Sequence, residues 1–278
     1  GGFGQVFIAK LTNTSLFKFP DKRGAVKIVQ HTSDKELLTN LKEISFLKYL
    51  KHPNVCGLYG AFLVGEEAWL VEEFMRGGTL KQAAAMSSDY FSESDIAYVA
   101  RELITGIHFI HERQLAHRDL KNSNIMLTLD GKIKIIDFGL CCDMSQGPVR
   151  HMVGSPFWMA PEMIRMEYHS YPVDVWSFAV SLIELANKRP PNWGNSRRAM
   201  FCVATEGLGA NMGLRHPERW SDDMKDFLSG CLVVDQTQRA TTGQLLKHPF
   251  LKKASSDEKM QRLLYRIFAE DKVRQLYG

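Results

Sequence analysis

No stretch of this sequence reaches the roughly 18 consecutive apolar residues that a bilayer-spanning helix needs, so it offers no membrane span. It also lacks any long basic run. The formal charge is only +4, spread along the chain, which argues against a nucleic-acid-binding arm. The five cysteines (Cys56, Cys141, Cys142, Cys202 and Cys231) have no metal-ligand spacing, and neighbours Cys141 and Cys142 are poorly placed to pair. They read as reduced thiols of an intracellular, cytoplasmic protein. Internal repeats and low-complexity tracts are absent. So is an initiator methionine: the chain opens Gly1-Gly2-Phe3-Gly4, and the expectation is that it is cut at its front.

What is present suits a folded chain. Apolar residues make up 45% and charged residues 24% of 278 positions, enough for a sizeable core. The first part reads as short strands over 5–9 and 24–29, with turn chemistry at Pro20-Asp21-Lys22-Arg23-Gly24. Leu37, Leu38, Leu41, Ile44, Leu47 and Leu50 recur at helical spacing over 33–50, before two more strands at 58–63 and 68–74. After Gly77-Gly78 the pattern turns helical, over 80–86 and over 93–111 with Ser92 as N-cap. Short strands return around 125–136. Helices are expected at 173–186, 221–232 and 242–246, and a charged helix over 255–277. The reading is a small antiparallel-sheet lobe with one main helix, followed by a larger helical lobe, an α+β class.

One constellation carries chemistry: His117-Arg118-Asp119-Leu120-Lys121-Asn122-Ser123-Asn124, then Asp137-Phe138-Gly139, then Ala160-Pro161-Glu162. Phosphoryl transfer needs a nucleophile held in line, metal ions bridging phosphates and positive charge on the moving group. Asp119 suits the orientation of a hydroxyl and acceptance of its proton. Asn124 and Asp137 offer the oxygen donors that Mg²⁺ prefers. Upstream, Gly1, Gly2 and Gly4 permit close approach of backbone N–H groups to phosphate, and Val6 can cover a base. Ala25-Val26-Lys27 lies on an apolar strand, and Glu43 on the first helix is placed to pair with Lys27.

These motifs identify the chain as similar to the eukaryotic Ser/Thr protein kinases, over essentially all of residues 1–253. Phe62-Leu63-Val64-Gly65-Glu66-Glu67-Ala68-Trp69, the run from Met152 to Glu162, and Pro217-Glu218-Arg219-Trp220 through Leu228 resemble the PAK-like, Rho-GTPase-activated group. The resemblance implies a bilobal catalytic domain: an N-lobe over 1–74, a hinge over 72–77, a C-lobe over 78–253 and a tail over 254–278. It implies ATP and Mg²⁺ as cofactors, the latter on Asn124 and Asp137, and protein substrates. A small GTPase, acting through a segment before residue 1, is a further implied partner. Asp119, Lys121 and Lys27 would be catalytic. Gly1, Gly2, Gly4, Val6, Ala25, Lys27, Glu43, the Glu73 carbonyl, the Met75 N–H and Met126 would hold the nucleotide. Glu162 would pair with Arg239, Asp174 would brace the His117-Arg118 backbone, and Ser155 would contact Asp119.

Three positions depart from the family. Glu72 falls where an apolar or hydroxyl side chain is usual; it either competes with Glu43 for Lys27 or turns to a water-filled back pocket. His151 replaces the threonine whose phosphate would pair with Arg118, so activation is expected not to depend on phosphorylation there. Ser145 is another candidate phosphosite. Ala179 stands where glycine is usual and suggests no function. The alternative to an active kinase is a kinase-shaped, ATP-binding scaffold. A lipid or small-molecule kinase is disfavoured by Ala160-Pro161-Glu162 and Arg239.

Overall fold

In the computed structural model, residues 5–10, 23–87 and 91–277 are described. The chain opens with strands β1 (Gln5–Lys10) and β2 (Arg23–Gln30), helix α1 (Asp34–Tyr49), and strands β3 (Leu58–Val64) and β4 (Glu67–Glu73). The strands form one antiparallel sheet in the order β1-β2-β4-β3. Its register sets Ala25 opposite Glu72 and Lys27 opposite Leu70. Because side chains alternate across a strand, Ala25 and Lys27 share one face with Leu70 and Glu72.

Helix α1 begins where its residues dictate: the Ser33 side chain accepts from the Glu36 N–H, and Asp34 and Glu36 place negative charge at the helix start. The leucine spacing finds the helix but not its inward face. Leu38 and Leu41 are 58% and 40% exposed, whereas Asn40, Glu43 and Leu47 are buried. The helix is oriented by a carboxylate directed at β2, with only the C-terminal part of the leucine stripe in the core.

The rest of the chain is mostly helical. It comprises α2 (Leu80–Met86), α3 (Glu93–His111), β5 (Leu115–Ala116), β6 (Ile125–Leu127), β7 (Ile133–Ile135), β8 (Cys142–Asp143), α4 (Pro161–Ile164), α5 (Pro172–Asn187), α6 (Ser196–Glu206), α7 (Asp222–Cys231), α8 (Thr242–Leu245) and α9 (Asp257–Tyr277). Helices α3 and α5 supply the centre of the core: Tyr98, Leu103 and Ile104 on the first, Trp176, Phe178 and Leu182 on the second, are at most 1% exposed. Ser92 caps α3 with a reciprocal bond to Asp95, and Pro172 opens α5. At the far end, α9 buries Met260, Leu264 and Ile267 and packs against α2.

The two parts are stitched together beside the cleft. Val55 bridges Ile135, the Cys56 N–H donates to the Ile135 carbonyl at 2.9 Å, and the Gly77 N–H to the Leu127 carbonyl at 3.0 Å. A Cβ on Gly77 would lie 2.6 Å from that same carbonyl oxygen, so only glycine permits the crossing. No described helix is long and apolar enough to cross a membrane. All five cysteines are free.

Candidate active site

Between the sheet and the helical part lies a cleft of about 240 Å³. Val6, Ala25, Lys27, Glu73, Met75, Met126 and Asp137 all line it, together with Glu72 and Ile136. Its walls come from β1 and β2 above, the end of β4 on one side, and β6 and the residues after β7 below. Apolar surface thus meets a few polar groups, the usual make-up of a small-molecule site. Gly1, Gly2 and Gly4 lie outside the described residues, as do Pro20, Asp21 and Lys22 of the expected turn.

At the inner end of the cleft Lys27 holds two carboxylates. Its Nζ lies 2.6 Å from Glu43 Oε1 and 3.0 Å from Asp137 Oδ1. Burial opposes the charge on Lys27, but Glu43 and then Asp137 outweigh it and hold its pKa above the ordinary value. The converse holds for Asp137. Burial pushes its carboxyl up, Lys27 pulls it down further, and the net shift is downward, so the group is ionised. Asp137 has a left-handed backbone, φ 64°. The following Phe138 is fully buried and meets the His117 ring edge-on at 5.0 Å. That anchorage aims Asp137 into the cleft.

A second cluster surrounds Asp119. Lys121 Nζ donates to Asp119 Oδ2 and to Ser155 Oγ, both at 2.7 Å, and Ser155 donates to Asp119 Oδ1 at 2.8 Å. Asn124 Nδ2 donates to the Asp119 carbonyl and to Oδ2 at 2.9 and 3.0 Å. Both Asp119 oxygens are therefore fixed in direction. With its amide nitrogen so engaged, Asn124 has its oxygen left for another donor or a cation. A carboxylate held in this way can orient a hydroxyl and take its proton.

The backbone beneath is braced. Asp174 accepts from the His117 N–H at 2.8 Å and the Arg118 N–H at 2.7 Å, and His111 Nε2 lies 2.9 Å from it. Complete burial raises the Asp174 carboxyl, yet the His111 contact and these N–H groups draw its pKa below the ordinary value. The segment leading to α4 is fastened twice. The Gly154 backbone packs so close to Arg118 that a Cβ would sit 2.6 Å from the Arg118 carbonyl oxygen, and its φ of 103° favours glycine independently. Beyond it, Glu162 and Arg239 form a fully buried pair through two bonds of 2.6 and 2.9 Å. His151 is exposed, while Arg118 Nε donates to the Leu140 carbonyl at 2.9 Å.

Glu72 resolves differently from the competition considered above. Lys27 is held by Glu43 and Asp137, and Glu72 makes no ion pair with it among the described residues. It faces the cleft instead, where burial pushes its carboxyl up to about 7, with Lys27 opposing and Glu43 adding to the rise. The supporting contacts are not announced by any motif: His111 on Asp174, the Ile136 carbonyl 3.0 Å from His117 Nε2, and Lys134 Nζ 2.9 Å from Glu73. None has a local signal, because each joins residues distant in sequence.

The cleft thus holds a Lys–Glu–Asp cluster, and an Asp–Lys–Asn cluster is gathered on the segment between β5 and β6. The chain belongs to the protein kinase domain family, whose model matches residues 1–251. It is 47% identical over 96% of its length to the probable serine/threonine-protein kinase mkcB of Dictyostelium discoideum, covering 36% of that protein. To mkcC of the same organism, also named a probable serine/threonine-protein kinase, it is 46% identical over 99% of its length and 30% of the relative. It is 36% identical to the serine/threonine-protein kinase shk1/pak1 of Schizosaccharomyces pombe, over 91% of this chain and 37% of that protein. The chain thus spans about a third of the length of these curated relatives.

Proposed function

We propose that this protein transfers the γ-phosphoryl group of ATP to serine or threonine hydroxyls of protein substrates. The observation that carries the reading is the Lys27–Glu43–Asp137 cluster on the cleft wall, together with Asp119 held by Lys121, Asn124 and Ser155. In this reading Val6, Ala25 and Met126 enclose the base, and the Glu73 carbonyl and Met75 N–H meet its edge. Lys27, fixed by Glu43, supports the phosphates; Gly1, Gly2 and Gly4, to which the family resemblance gives a part in the same task, lie outside the described residues.

The donor set fits Mg²⁺. Asp137 gives an ionised carboxylate and Asn124 a free amide oxygen, both hard ligands. Among the described residues no group of three His, Cys, Asp or Glu side chains gathers at one point. When bound, Mg²⁺ neutralises phosphate charge. The protein's own part is positional: Asp119 orients the acceptor hydroxyl and takes its proton, and Lys121 places positive charge beside the transferred group.

The buried Glu162–Arg239 pair and the Ser155–Asp119 bond order the segment that would receive a peptide, which favours a protein substrate over a lipid or small molecule. The scaffold alternative draws on Glu72 and His151, neither of which removes a group the chemistry needs. Cytoplasmic signalling is the proposed setting, and a small GTPase, reached through a segment outside this chain, a proposed partner. The test is Mg-ATP-dependent labelling of a generic basic protein, with Asp137→Asn as control. Labelling by the wild type well above the control supports transfer; ATP binding without labelling supports the scaffold.

A further inference from the structure

The charged side chains on the described wall of the cleft are Lys27, Glu72, Glu73 and Asp137. Lys27 and Asp137 bond each other, and Glu73 pairs with Lys134 at 2.9 Å. Glu72 forms no side-chain hydrogen bond or ion pair with any described residue, although it stands among Ala25, Met126 and Ile136. A carboxylate in such surroundings is costly unless a partner arrives. Its place is fixed by the sheet: the Ala68 and Leu70 side chains point inward and are fully buried, and Glu72 is next on the same face, opposite Ala25. One residue later comes Glu73, whose carbonyl meets the base edge in the reading above.

We propose that Glu72 selects the nucleobase: its carboxylate accepts a hydrogen bond from an exocyclic amino group, so that the cleft prefers 6-amino purines to 6-oxo purines. The inference rests on the cleft being the nucleoside triphosphate site. An amino group carries two N–H donors, so the Glu73 carbonyl and the Glu72 carboxylate each take one. An oxo group offers only lone pairs, and an ionised carboxylate has no donor to meet them. The arrangement leaves Lys27 to Glu43 and Asp137, so base selection and phosphate support use separate groups.

The experiment is titration calorimetry at pH 8, where Glu72 is mainly ionised. ATP, inosine triphosphate and purine riboside triphosphate are titrated into the wild type, Glu72→Gln and Glu72→Met. The expected result is that the preference for ATP over both analogues falls about tenfold or more in Glu72→Met, the worth of one charge-assisted hydrogen bond. In Glu72→Gln the amide can turn to donate, so inosine triphosphate gains relative to ATP. Preferences unchanged within about twofold in both variants, with ATP still bound, overturn the proposal while leaving the kinase reading intact. A wild type that binds none of the three overturns both, and the wild-type titration alone distinguishes that case.

Discussion

Replacing Arg239 by Met removes the cationic half of a pair sealed from water, with side chains 0% and 1% exposed. Two bonds to Glu162 are lost, at 2.6 and 2.9 Å, and so are donors to the Val233 and Pro172 carbonyls at 2.9 and 2.8 Å. The Glu162 carboxylate is then buried without compensation, which costs about 3–5 kcal/mol. Against a typical total of roughly 5–15 kcal/mol, that is a large share of the stability. The methionine stem still fills space beside Trp176, so a cavity adds little. Urea unfolding followed by tryptophan fluorescence reads the loss, and a thermal midpoint lower by roughly 6–20 °C accompanies it. The double variant Glu162→Leu/Arg239→Met removes the stranded charge and recovers much of the deficit. A loss below about 1 kcal/mol in Arg239→Met, or a double variant as unstable as the sum of the two singles, refutes the reasoning.

Other outcomes follow from the same geometry. Burial pushes the Glu184 carboxyl from 4.5 up to about 7, with Lys81 opposing only in part. Between those values the folded state binds the extra proton, so stability falls as pH rises from about 4.5 to about 7. Glu184→Gln therefore gains on the wild type between pH 5 and pH 8 by on the order of 1–3 kcal/mol, whereas parallel urea midpoints at the two values contradict the assignment. His151→Ala keeps labelling activity within about twofold, because the segment is fastened by the Val149–His169 backbone bonds and by Ser155 rather than by His151; a tenfold loss shows otherwise. Ser155→Ala frees Asp119 Oδ1 and one contact of Lys121, so turnover falls about tenfold or more with ATP affinity little changed. Unchanged turnover there means that the serine does not position Asp119.

The motifs were legible because the chemistry demands fixed residue types at short spacings. Asp119, Lys121 and Asn124 lie close together in sequence, and the structure gathers them into one cluster. Long helices were equally plain: Ser92 and the apolar periodicity marked the span of α3. Features that depend on distant partners were not. The two-residue strands β5 and β8 are too short for any periodicity. Helix α6 buries only Ala199 and Val203 and leaves Phe201 68% exposed, so no apolar stripe announces it. Helix α1 misleads in another way. Its leucines are obvious, but Glu43, drawn to Lys27, decides which face turns inward. The same holds for Glu72, whose position relative to Lys27 depends on the β2–β4 register and on Asp137 having already taken the ammonium.

The most direct test of the account separates nucleotide binding from transfer at Asp119. Wild type and Asp119→Asn are compared for ATP affinity by calorimetry and for phosphate transfer to a serine-containing basic protein in the presence of Mg²⁺. ATP affinities are expected to lie within a few-fold of each other, with transfer lower by on the order of 10²–10⁴-fold in the variant. Equal transfer by the two proteins, or no transfer by a wild type that binds ATP, contradicts that expectation.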